Sequence, residues 1–184
     1  SKEQLNWLLI EAVYSIESLE KVKALVEKGA DVNTIDEDGL PLIHLASHLE
    51  ETSILNYLLE KGANVNATDE DGFNALWETE TLEAMELLID KGVDPNQTVD
   101  GVLLAASLIY FALFEDLQLL AAKGADLTLK TEGESLVSFA KSLLKLEHRP
   151  GPSYTEASAQ AEADQAYKAK INEIVKFLES KGVK

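Results

Sequence analysis

The chain has 184 residues, 46% of them hydrophobic, no cysteine, and 33 acidic against 16 basic side chains, for a formal net charge of −17. That length can bury one compact core or one continuous stack of small units, and the missing cysteines exclude disulfides and thiolate metal sites. The charge argues against nucleic acid and anionic membranes, both of which demand basic patches, and is expected to draw cationic partners.

The first predicted elements are two helices within residues 5–28, carrying Trp7, Leu8 and Val13, then Val22, Leu25 and Val26, and ending VKALVEKG. GADVN follows at 29–33, and then IDEDG at 35–39. A second pair of helices leads to LNYLLEKG, GANVN at 62–66 and TDEDG at 68–72. The next helix ends MELLIDKG before GVDPN at 92–96.

The most apolar run, VLLAASLIYFALF at 102–114, is too short for a bilayer and is stopped by Glu115 and Asp116. It precedes LQLLAAKG and GADLT at 124–128, and the last helix ends VKFLESKG. The N-terminus, SKEQLNWLL, lacks the apolar segment of a signal peptide. The expected compartment is the cytoplasm, with periplasm or secretion left open by the absent cysteines.

Five helices thus stop in the same way, at intervals of 33, 30 and 32 residues between Gly29, Gly62, Gly92 and Gly124, with Gly182 closing the last. Glycine supplies the left-handed residue past the helix, and Lys28, Lys61, Lys91, Lys123 and Lys181 sit where unpaired carbonyls make the helix end negative. Repetition at this period is the sequence mark of a stacked array.

DGLPLIHLASHLEETSILNYLLEKGANVNA, residues 38–67, resembles the ankyrin repeat family pattern of Gly-x-Thr-Pro-Leu-His-x-Ala, a second helix, and Gly-Ala-Asp-Val-Asn. His44, Leu45 and Ala46 match, while Pro41 and Leu42 stand where Thr-Pro is usual. The resemblance covers nearly the whole chain. It implies an all-α repeat solenoid of helix pairs with short hairpin-like fingers, about five repeats including degenerate terminal caps. The expectation is one domain over 1–184, with caps at about 1–34 and 130–184 and repeats at about 35–67, 68–97 and 98–129.

Two units depart from the pattern. Gly72 to Gly92 spans 20 residues where Gly39 to Gly62 spans 23, so the third unit is expected to lose about one turn from its first helix or the loop after it. Gly133 to Gly182 spans 49, and this insert holds the breaker-rich HRPGPSY and a capping box at Ser153–Glu156. Tyr167, Ile171, Ile174, Val175 and Leu178 then have the spacing of a buried stripe, predicting an overlong final helix that closes the last repeat, or else serves as an arm for a partner, its alanine-rich start projecting beyond the stack or packing thinly.

Asp36-Glu37-Asp38-Gly39 opens like a calcium loop, but Leu40 and Pro41 stand where further oxygen ligands are needed, so a finger turn is the expected role. A turn needs one Asp and one Gly, which leaves Glu37 with Asp38 and Glu70 with Asp71 in surplus. Carrying over the family's concave binding face gives Ile35, Glu37, Asp38, Leu40, His48 and Leu49 in one unit and Thr68, Glu70, Asp71 and Phe73 in the next. Glu78 and Glu80 follow in the short unit, then Val102, Tyr110 and Phe111. Trp77, where the family has His, is expected to fill the space left by the shorter helix. Asn66-Ala-Thr68 and Asn96-Gln-Thr98 meet the glycosylation pattern only because each asparagine ends a repeat signature.

The implied function is a protein–protein interaction module whose acidic concave face takes a cationic protein, with no cofactor, metal, nucleic acid or membrane partner, as a monomer. The alternatives are an inhibitor or immunity protein shielding a basic toxin or nuclease, and an enzyme or enzyme subunit with a carboxylate cleft at the irregular third repeat. His44, His48 and His148 lack a paired nucleophile or metal-ligand spacing, and no catalytic residue is assigned.

Overall fold

A lysine and then a glycine close the second helix of each repeat because the chain must turn left-handed there. Gly29, Gly62, Gly92, Gly124 and Gly182 all have φ between 80° and 104°, and Lys28, Lys61, Lys91 and Lys123 are the helix C-cap residues. The amide two residues past each lysine, at Ala30, Ala63, Val93 and Ala125, returns to the last turn. This is the hydrogen-bonding pattern of a glycine-terminated helix.

The computed structural model describes residues 1–15, 18–150 and 157–184. The capping box expected at Ser153–Glu156 therefore lies outside the described residues. Nine α-helices are present among those described: α1 (Lys2–Tyr14), α2 (Leu19–Glu27), α3 (Leu42–Ser47), α4 (Ser53–Glu60), α5 (Leu82–Asp90), α6 (Leu104–Tyr110), α7 (Phe114–Ala122), α8 (Leu136–Leu143) and α9 (Ala157–Ser180). Backbone packing divides the chain into two units, Ser1–Asp94 and Pro95–Lys184.

In the first unit, α1 packs on α2 and α3, and α2 on α4, so helix pairs stand side by side. Their seams are filled by Leu9, Val13, Val22, Leu42, Leu55, Leu58, Leu76, Met85 and Leu88, all fully buried. The stripe of α1 that enters this core is Leu9, Ala12 and Val13. Trp7 and Leu8 lie on the other faces and are exposed. The short third unit has a single 3-10 turn, Ala75–Glu78, in place of an inner α-helix. Trp77, within that turn, is half-buried and edge-on to Phe73 with ring centroids 5.0 Å apart.

Polar side chains join successive repeats at fixed positions. Asn33 accepts from the Asn64 amide at 2.7 Å and donates to the Gly62 carbonyl at 3.3 Å. Buried His44 places Nε2 2.9 Å from the Ala67 carbonyl, and the Ser47 hydroxyl donates to the Ala75 carbonyl at 3.1 Å. Each bond satisfies a backbone group that the tight turns would otherwise strand.

In the second unit, α6 packs on α7 and α8, and α9 packs on α8 and α7. Tyr167, Ile171, Ile174, Val175 and Leu178 are all buried, as their spacing predicts. Phe177 meets Phe114 edge-on at 5.5 Å, and the Tyr167 hydroxyl donates to the Tyr110 carbonyl at 2.8 Å. The earlier half of α9 is tied down by charge: Asp164 accepts from His148 Nδ1 at 2.8 Å and from the Arg149 amide at 2.9 Å.

Candidate functional site

The finger tips come in two constructions, and the residue three places before the finger glycine decides which. In the first finger Asp36 Oδ1 accepts the amides of Asp38 and Leu40 at 3.0 and 2.8 Å. In the second, Asp69 Oδ1 accepts those of Asp71 and Phe73 at 3.0 and 2.9 Å. A short aspartate folding its own loop in this way is an Asx turn. It needs no strand ladder: the isolated bridges Ile35–Pro41 and Thr68–Asn74, with the Asp36 and Asp69 amides donating to the Leu40 and Phe73 carbonyls at 3.0 and 2.9 Å, close these loops.

Thr98 and Lys130 hold the corresponding places in the later fingers, so no aspartate carboxylate is there to fold the loop. There the chain makes two-residue hairpins, β1 (Thr98–Val99) with β2 (Val102–Leu103) and β3 (Lys130–Thr131) with β4 (Glu134–Ser135). Asp100 and Gly101, at φ 51° and 83°, and Glu132 and Gly133, at 48° and 86°, take the left-handed pair that such hairpins require.

The aspartate that shapes the turn is thus Asp36 or Asp69. Glu37, Asp38, Glu70 and Asp71 are exposed. None of the four is in an ion pair among the described residues. The two fingers touch: the Glu70 side chain lies over Gly39, its Oε1 2.8 Å from where a β-carbon would stand.

The structure groups the remaining predicted positions unevenly. Ile35, Glu37 and Asp38 line a groove of about 560 Å³ against α1, whose other wall includes Trp7, Ile10 and Tyr14. Leu40, His48, Leu49 and Glu78 line a hollow of about 920 Å³ that also includes Glu20, Glu50 and Glu51. Among the described residues neither lining contains a lysine or arginine. His48 Nδ1 is 3.3 Å from the Glu78 carbonyl and 3.5 Å from Glu80 Oε1, so these three do come together. Thr68 is exposed and Phe73 half-buried against Trp77. In the second unit Val102 is half-buried, and Tyr110 and Phe111 are exposed, edge-on at 5.1 Å. They precede Ala112, a left-handed non-glycine residue at φ 58°.

Tyr14 was outside the residues picked from the family pattern, yet it borders both hollows. Its hydroxyl donates to Asp36 Oδ2 at 2.7 Å. That bond, then burial, then the nearby carboxylates of Asp36 and Asp38, push its pKa up to about 12. Burial alone would raise the Asp36 carboxyl, but the Tyr14 hydroxyl and the amides of Leu40 and Asp38 outweigh it and hold it below the usual carboxylate range. No sequence signal marks Tyr14 out, because its partner lies 22 residues away and only the fold brings the two together.

Among the described residues no group of three or more His, Asp or Glu side chains could hold a metal ion, and no helix is long and apolar enough to cross a membrane.

Helix pairs closed by glycine and joined through short finger turns define an all-α repeat solenoid. Residues 9–99 match the family of ankyrin repeats in 3 copies, and that stretch of the chain belongs to the ankyrin repeat family. Ankyrin repeats are generally protein–protein interaction modules and typically non-enzymatic. A search of curated proteins found no match.

Proposed function

We propose that this ankyrin-repeat chain is a non-enzymatic binding protein that captures a basic protein partner on the finger side of its repeats. The observation that carries the reading is the repeated, unspent charge of the first two fingers. Glu37 with Asp38 and Glu70 with Asp71 stand exposed on turns already folded by Asp36 and Asp69. Charge that the fold does not use is available to steer and orient a partner. A net charge of −17 extends that attraction beyond contact distance at low ionic strength.

The test is reversal of Glu37, Asp38, Glu70 and Asp71 to lysine, followed by capture from native lysate and measured association rates. The expected result is retained helical structure, loss of the captured partner, and an association rate for the unaltered chain that falls steeply between low and moderate salt. Unchanged capture by the reversed variant would exclude the acidic fingers as the binding surface.

A further inference from the structure

We propose that the groove between α1 and the first finger seats a short segment of a partner protein carrying arginine or lysine beside apolar side chains, so that the amino-terminal helix recognises as well as caps. The inference deepens the reading above and rests on it.

Trp7, Ile10 and Tyr14 recur at helical spacing along one side of α1 and wall the groove, with Ile35 of the finger opposite. Trp7 and Tyr14 are each 55% exposed, and Ile35 is 59% exposed. Two aromatic rings and an isoleucine left open in a concavity form an apolar floor suited to a partner's side chains. Tyr14 is also held in place through Asp36, so little ordering remains to be done on binding.

The choice of occupant follows from the rim. Glu3, Glu11, Glu37 and Asp38 line the groove, and none is in an ion pair among the described residues. Asp31, by contrast, is paired with Lys2 at 3.0 Å, and Asp36 is committed to Tyr14 and to its own turn. A purely apolar segment would bury those four carboxylates without partners, which is costly. An acidic one would be repelled. A guanidinium or ammonium group meets both demands, because it stacks on exposed aromatic faces and bonds to carboxylates.

The experiment uses the full chain carrying Trp77→Phe, which leaves Trp7 as the single tryptophan. The probe is an amidated Arg-Leu-Arg-Leu-Arg peptide at low salt, with hexa-arginine and Gln-Leu-Gln-Leu-Gln as comparisons. The expected result is a blue shift of Trp7 emission with the first peptide, and affinity, read by titration calorimetry, at least tenfold weaker in Trp7→Ala and in Glu37→Gln with Asp38→Asn, circular dichroism being unchanged. Peptide binding that leaves Trp7 emission unmoved and is indifferent to Trp7→Ala places the basic segment elsewhere, overturning the groove but not the acidic-finger reading. Equal binding of the glutamine peptide overturns the cation. An emission change that follows protein concentration alone makes a second copy the occupant and overturns the proposal. Binding of no basic probe at all sinks both readings.

Discussion

Tyr14 and Asp36 lie 22 positions apart in sequence and are joined by a 2.7 Å hydrogen bond from hydroxyl to carboxylate, which fastens the first helix to the first finger. The pair makes stability depend on pH at both ends of the scale. Asp36 is held below the usual carboxylate range in the folded chain. Its contribution is therefore complete above the unfolded carboxylate pKa and is lost as pH falls through the folded value. Tyr14 is raised from 10.0 to about 12, so its contribution is complete below pH 10 and is lost as pH rises toward 12. Tyr14→Phe is expected to cost about 1 kcal/mol near neutrality and to remove one late-titrating phenol from the ultraviolet titration. Urea melts of the two chains at pH 3, 7 and 11 check the sign, the gap between them being widest at pH 7.

Gly39 has a φ of +80°, and the Glu70 side chain lies on it. Gly39→Ala is expected to destabilise the chain by about 1–2 kcal/mol, the cost of a left-handed alanine. The contact with Glu70 adds little, because a long exposed side chain can move away. In a double-mutant cycle Glu70→Ala should recover a few tenths of a kcal/mol, about the limit of what such cycles resolve. Full recovery would show that contact, and not backbone strain, sets the requirement.

Ile171, Ile174 and Leu178 of α9 are completely buried, whereas Ala161, Ala166 and Ala169 on the same helix are exposed. Ile171→Ala should cost about 2–5 kcal/mol through lost burial and the cavity left behind. Ala166→Ser should stay within about 0.5 kcal/mol, the range of ordinary surface changes. Thermal melts followed by helical circular dichroism test the contrast, and equal effects would mean that α9 does not seal the core it covers.

The sequence made some of this legible and hid the rest for identifiable reasons. Helix ends were readable because lysine and glycine answer two local demands, charge and chirality, at the same place each time. The loss of a turn in the third unit was a matter of counting residues between Gly72 and Gly92, and the 3-10 turn at Ala75–Glu78 is its form. The α9 stripe followed from periodicity. By contrast, Trp7, Leu8 and Val13 all stand out as apolar residues of α1, yet the core is met by Leu9, Ala12 and Val13. Successive helical residues point about 100° apart, so composition alone does not show which arc turns inward.

Contacts distant in sequence were invisible. Nothing local announces that Tyr14 reaches Asp36, or that an asparagine ending a repeat signature binds the next repeat, as Asn33 does at the Asn64 amide and Asn96 at the Asp126 amide. The acidic fingers were recognised as turns, but the sequence did not say which of their two aspartates folds the loop. That depends on side-chain reach, and it singles out Asp36 and Asp69.

The two kinds of finger differ in how freely their tips can change. At Asp100 and Glu132 the backbone is left-handed, and most amino acids would be strained there. At Glu37, Asp38, Glu70 and Asp71 it is not, and one aspartate outside the tip already closes the loop. Natural drift or laboratory selection can therefore rewrite the first two tips residue by residue, altering which surface they suit while the repeats beneath stay folded.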